Sequence, residues 1–164
     1  MKFKSLMTVM AAAAVVLGMS SCGSDDAPAE APVAVATQVE GSYSGNEVIK
    51  VMGSESSNTT TTYQFVKAAD AAIDMTIPQS GEEGGMMIPA LPVKNIPLTK
   101  NGNTITGKLD KYEGKVTTSA GAEKAYTISN LVVVFNSNLV SVTFSLKYGN
   151  MPMTMETTFA GQKK

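Results

Sequence analysis

Residues 140–159, VSVTFSLKYGNMPMTMETTF, decide the fold. Gly149-Asn150 is a two-residue turn signal between two runs that alternate apolar and polar side chains. About that turn, Tyr148 is expected opposite Met151, Leu146 opposite Met153, Phe144 opposite Met155, Val142 opposite Thr157 and Val140 opposite Phe159. One face of the hairpin is then apolar on both strands, with Thr157 the exception. The other face carries Lys147, Ser145, Thr143 and Ser141 against Pro152, Thr154, Glu156 and Thr158. A slip of one residue would turn every apolar side chain outward, so the pattern specifies which face is buried. Pro152 has no N–H and suits a rim or an edge.

Working toward the N-terminus, Asn136-Ser137-Asn138 links this hairpin to a further strand at about 125–135. A three-residue loop would put Tyr126, Ile128, Val132 and Val134 on the shared inner face. A two-residue loop would put Leu131, Val133 and Phe135 there instead. The run LVVVF is apolar on both faces, so both readings stand, and one apolar row needs a cover. Asn101-Gly102 marks another hairpin, setting Leu98 against Ile105 and Thr99 against Thr104. Pro89, Pro92 and Pro97 crowd the strand before it and favour an edge or irregular strand. Strands are also expected near 47–53, 61–67, 71–77 and 111–118, with QSGEEGG at 79–85 a flexible loop. Consecutive hairpins favour an antiparallel meander, and closing it into a barrel removes its adhesive edges. A two-sheet sandwich is the rival architecture.

The first residues read as an address. Lys2 and Lys4 precede an apolar run at 6–18, LMTVMAAAAVVLG, too short for a membrane span of about 20 residues. Residues 1–21 are therefore a signal peptide, and Met19-Ser20-Ser21-Cys22 resembles a bacterial lipobox, which makes Cys22 the lipid-attachment site. Diacylation there would anchor the chain stably, at about 0.8 kcal/mol per buried CH₂. Gly23-Ser24-Asp25-Asp26 looks like the acidic export tag of surface lipoproteins in Gram-negative gut bacteria. Residues 22–38 then form an Ala/Pro-rich tether, and the domain occupies 39–164.

Composition excludes more than it assigns. The chain has 164 residues, formal charge −1, one Cys and no His or Trp. All thirteen basic residues are Lys. Without Arg or clustered base a nucleic-acid surface is not expected. Without His, and with a single Cys, neither the usual general base nor a Cys-based zinc site is available. No cofactor or metal is expected, and an enzyme is the lowest-ranked reading.

Three groups of residues bear on chemistry. Met151, Met153 and Met155 form a stripe at period two. It serves as adaptable core filler or as the soft wall of a ligand site, or else as thioether ligands for Cu(I), which would have to converge across about 6.6 Å spacings. Tyr126, Tyr148 and Asn130 are candidate polar handles among apolar residues. The acidic pairs Glu82/Glu83, Asp70/Asp74 and Asp110/Glu113 are weak signals for calcium or sugar chemistry.

Several segments together resemble the calycin-like β-barrel domain of Bacteroides-type lipoproteins. They are Val39-Glu40-Gly41-Ser42-Tyr43-Ser44-Gly45, Val93–Leu98 followed by Thr104–Gly107, and Leu146–Met153 with Phe159-Ala160-Gly161. The resemblance covers about 39–161. It implies an all-β, eight-stranded barrel related to lipocalins, secreted and anchored, with a lipid-like small-molecule ligand; together with the lipobox and the acidic tag, the expected location is the outer membrane, lipid-anchored and exposed at the cell surface. Tyr126, Phe144, Leu146, Tyr148, Met153 and Met155 are the candidate ligand-binding residues on the paired inner faces. The alternative is a solid barrel that binds glycan or protein through its exterior.

Overall fold

Val51 and Ser54 pair across Met52-Gly53, Asn101 and Thr104 across Gly102-Asn103, and Asn136 and Leu139 across Ser137-Asn138. The tight turns bend through left-handed backbone at Met52, Gly53, Gly102 and Ser137. Each returns the chain beside the strand it has just left. The result is a meander of β1 (Gly41–Val51), β2 (Ser54–Ala69), β3 (Ala72–Ile77), β4 (Leu91–Asn101), β5 (Thr104–Thr117), β6 (Glu123–Asn136), β7 (Leu139–Tyr148) and β8 (Met155–Lys163). β8 pairs back onto β1, and the eight antiparallel strands close as a barrel. This computed structural model describes residues 33–81 and 87–164. Cys22, the signal peptide, Glu82 and Glu83 lie outside the described residues.

One end of the barrel is plugged. Val35–Val39 form a single helical turn, α1, where the sequence reading had placed the end of the tether. Ala36 and Val39 are buried because they face the barrel floor, and Ala36 N–H donates to the Asp70 carbonyl at 3.0 Å. Above them Tyr43, Phe65 and Phe135 pack edge to face or tilted, with centroids 5.0 to 5.6 Å apart. The Tyr43 hydroxyl donates to the Val39 carbonyl at 3.1 Å, tying plug to wall.

The last hairpin differs from its expected register by two residues. Leu146 faces Met155, Phe144 faces Thr157, Val142 faces Phe159 and Val140 faces Gly161. Gly149-Asn150 opens a longer loop, 149–154, which takes Pro152 out of the ladder. β8 is also paired to β1, with Met155 opposite Val51 and Phe159 opposite Glu47, and that second partner sets its position. A two-residue shift leaves every side chain on its expected face. Met153, however, moves into the loop and is 39% exposed. The Asn101-Gly102 hairpin shifts in the same way, with Leu98 opposite Gly107 and Thr99 opposite Thr106.

The two readings of LVVVF are reconciled by a change of parity within β6. Tyr126 and Ile128 are buried, and so are Leu131, Val133 and Phe135. Asn130, in left-handed backbone with φ 54°, is the extra residue between them. Val132 and Val134 consequently face outward and are half-buried.

Two seams loosen toward the end opposite α1. β2 pairs with β3 only over Gln64–Ala69, and β4 pairs with β5 only over Leu98–Asn101. Residues Leu91–Pro97 and Lys108–Thr117 therefore have no ladder partners across the β4–β5 seam. Pro92 and Pro97 sit on this partly unpaired strand, where missing N–H groups cost least.

Candidate functional site

The half of the barrel away from α1 has two chemically different inner walls. The first is formed by β6, β7 and β8. Tyr126, Phe144, Leu146, Tyr148 and Met155 are all buried there, so five of the six expected ligand residues share one lining. Met153 is the exception, for the register reason given above. Tyr126 stands opposite Tyr148, and Leu146 opposite Met155. Tyr112 of β5 extends the wall, its ring centroid 6.1 Å from that of Tyr126.

The polar atoms of this wall behave differently. The Tyr126 hydroxyl donates to the Pro92 carbonyl, bridging β6 to β4 across the loosened seam. Burial, reinforced by Tyr112, raises the Tyr126 phenol well above its ordinary pKa, so it remains a donor. The Tyr148 hydroxyl is buried and has no hydrogen-bond partner among the described residues. An orphaned buried hydroxyl costs about 1–3 kcal/mol.

The second wall, on β1, β2 and β8, is polar. Glu47 is 3% exposed and Thr157 4% exposed, the two buried polar side chains among the described residues. Both follow the inward parity of Tyr43 and Phe159. One Glu47 carboxyl oxygen accepts a 2.5 Å hydrogen bond from the Tyr63 hydroxyl. Tyr63 is itself held in place by stacking on Phe159, centroid to centroid 4.2 Å. Burial pushes the Glu47 carboxyl above its usual range, and the Tyr63 hydrogen bond opposes this without cancelling it. Burial and the neighbouring carboxylate push the Tyr63 phenol up in turn. Ser57, Thr59 and Thr61 share the inward parity of Tyr63, and Thr59 is exposed, so solvent reaches this wall next to the buried acid.

Glu47 was missed in the sequence although its signal was present. Tyr43, Gly45, Glu47, Ile49 and Val51 form one alternating face, but a strand begun at residue 47 loses the two positions that reveal it. Of the acidic residues singled out from sequence, Asp70, Asp74 and Glu113 are each paired with a lysine. Asp70 bonds Lys67 at 2.7 Å, Asp74 bonds Lys94 at 2.8 Å and Glu113 bonds Lys111 at 2.7 Å. Asp74 also accepts the Asn95 N–H at 2.9 Å and so holds the bulge between β3 and β4. Among the described residues no group of three or more His, Cys, Asp or Glu is placed to hold a metal. Asn130 is exposed and shapes the strand instead of lining the interior.

Outside the barrel, a groove of about 510 Å³ runs over β6, β7, β8 and β1 near the plugged end, lined by Val134, Leu139, Ser141, Ala160 and Gln162 among others. Val134, one of the two outward valines of LVVVF, lies in it.

The family model described as "Calycin-like beta-barrel domain" matches residues 39–162. Among curated proteins none matches. A crystal structure from Bacteroides fragilis, described as a "putative outer membrane protein", superposes with a TM-score of 0.61 at 19% identity. The match covers 80% of this chain and 53% of that one, so this chain spans about half the length of its structural neighbour. At that identity the likeness is one of fold.

Proposed function

The chain belongs to the calycin-like β-barrel domain family, and from that premise we propose that it is a lipid-anchored envelope protein that holds a small amphipathic molecule in the half of its barrel away from α1. The observation that carries this reading is the Tyr148 hydroxyl, buried without a partner among the described residues on a wall otherwise built of Leu146, Phe144, Met155 and Tyr126. Ligand sites combine a mostly apolar lining with a few placed polar groups. An unpaired hydroxyl on such a wall is a hydrogen-bond site awaiting a guest. The role is binding rather than catalysis, in keeping with a chain that has neither His nor Arg.

The anchor rests on Cys22, the single cysteine, placed directly after the signal peptide. An outer-membrane location draws support from the description of the Bacteroides fragilis neighbour. Surface exposure rests on the acidic residues after Cys22. Labelled palmitate is expected to enter the wild-type chain and not the Cys22→Ala variant. Protease added to intact cells is expected to degrade the domain; protection would place it on the periplasmic side.

The binding role is tested by purifying the protein from its own host and extracting it for mass spectrometry. A stoichiometric amphipathic compound is expected. Its absence, together with failure to bind any medium-chain amphiphile, would favour the exterior groove as the working surface. That second reading has its own support in the outward-facing Val134 and the exposed Leu139 beside it, which would take a protein or glycan partner.

A further inference from the structure

We infer that the polar wall around Glu47 is a head-group site for a primary ammonium, so that the guest is an alkylamine-type amphiphile and not a fatty-acid anion. This rests on the reading that the barrel interior binds a guest, and it specifies the guest's chemistry.

Glu47 is nearly inaccessible, yet its one hydrogen-bond partner among the described residues is the neutral Tyr63 hydroxyl. No cation among the described residues pairs with it. The ion pairs among the described residues are Lys67–Asp70, Lys94–Asp74, Lys111–Glu113 and Lys115–Glu123, all on the surface. No described lysine is buried. A buried carboxylate without a cation is costly, and a cationic guest would supply the missing charge in a medium where pairing is strong.

The neighbours fit the same guest. Thr157 is opposite Ile49, whose other cross-strand neighbour is Ser57; Glu47 is opposite Thr59. Thr59 is thus beside Glu47 and Ser57 and Thr157 flank the next inward position, so this wall offers acceptor oxygens. An ammonium offers three donors and no acceptor, so it matches a set of acceptors. A guest carboxylate would meet Glu47 as a like charge, with no lysine or arginine to offset it. The guest's chain would lie toward the apolar wall of Leu146 and Met155. Exposed Thr59 marks the side from which the site is reached.

The test is titration calorimetry of the full chain carrying Cys22→Ala with four probes: dodecylammonium, dodecanol, dodecanoate and the chainless amine spermidine. At pH 7 dodecylammonium is expected to bind at least tenfold more tightly than dodecanoate, with dodecanol between them and spermidine weakest. Glu47→Gln is expected to bring dodecylammonium and dodecanoate within about twofold of each other while leaving dodecanol unchanged. The ranking within the wild type needs no variant, so a Glu47→Gln chain that fails to fold does not remove the test. Dodecanoate binding as tightly as dodecylammonium, or a preference that survives Glu47→Gln, overturns the head-group assignment. Spermidine binding as tightly as dodecylammonium overturns the lipid nature of the guest. Absence of binding by dodecylammonium, dodecanol and dodecanoate alike overturns the interior binding reading itself.

Discussion

The Tyr126 ring occupies the space left by the missing side chain of Gly114, directly opposite it on β5. From there its hydroxyl reaches the Pro92 carbonyl on β4, spanning a seam that has no ladder above Leu98 and Gly107. A Cβ at residue 114 would overlap the ring, so Gly114→Ala must push Tyr126 away from Pro92. Overpacking of this kind costs about 1–3 kcal/mol. Urea unfolding is expected to show a loss in that range, and Gly114→Ala combined with Tyr126→Leu is expected to lose less than the sum of the two single changes, because they share one contact.

Asn130 determines which residues of β6 meet the interior. Its φ of 54° lies in left-handed backbone, which Gly enters freely and Asn tolerates, whereas a β-branched residue does not. Asn130→Gly is expected to change the unfolding midpoint little. Asn130→Val is expected to cost about 1–3 kcal/mol, the usual range for forced backbone strain. A valine that proved harmless would show that the parity change does not depend on this backbone conformation.

Much of this architecture was readable from alternation alone. The inward faces of β7 and β8 follow from period two, and Thr157, the lone polar residue on that face, is buried among the rest as its position requires. Register was less legible because each strand has two neighbours. A turn signal such as Gly149-Asn150 speaks for only one of them, and pairing with β1 moved β8 by two residues. The inner face of β6 was undecidable in LVVVF, since the information sits in the backbone of Asn130 and not in hydropathy. Glu47 was hidden for another reason. An acid in an alternating strand reads as solvent-facing until the strand's true start, at Gly41, is known.

Glu47 also makes stability depend on pH, with a definite sign. Burial raises its carboxyl above the ordinary value in the folded state. The group's contribution is therefore fully present below the unfolded pKa and is lost as pH rises through the folded one. Tyr63 is the titratable group facing it, and its phenol, pushed upward, stays neutral over this window. Glu47→Gln keeps an acceptor for the Tyr63 hydroxyl and removes the ionisation. Thermal melts without added amphiphile are expected to show Glu47→Gln close to wild type at pH 4 and more stable at pH 8. A difference of equal size at both pH values would show that Glu47 does not titrate in this range.

Tyr148 offers a sharper separation of stability from function. The residue is 6% exposed, its hydroxyl is buried with no partner among the described residues, and it stands on the apolar wall opposite Tyr126. In a solid barrel that oxygen is only a cost. Tyr148→Phe removes it while keeping the ring, so the variant is expected to be as stable as wild type or more stable, by up to about 1–3 kcal/mol. Dodecanol carries no charge to draw its head group to Glu47, so its hydroxyl is expected to pair with Tyr148, and in Tyr148→Phe its affinity is expected to fall about 2- to 10-fold, the worth of one neutral hydrogen bond. Dodecanol affinity must fall while stability does not. A variant that gains stability and binds dodecanol unchanged would place the guest's hydroxyl elsewhere. One that loses stability would mean that the Tyr148 oxygen already has a partner in solution, which would remove the reason for assigning it to a ligand.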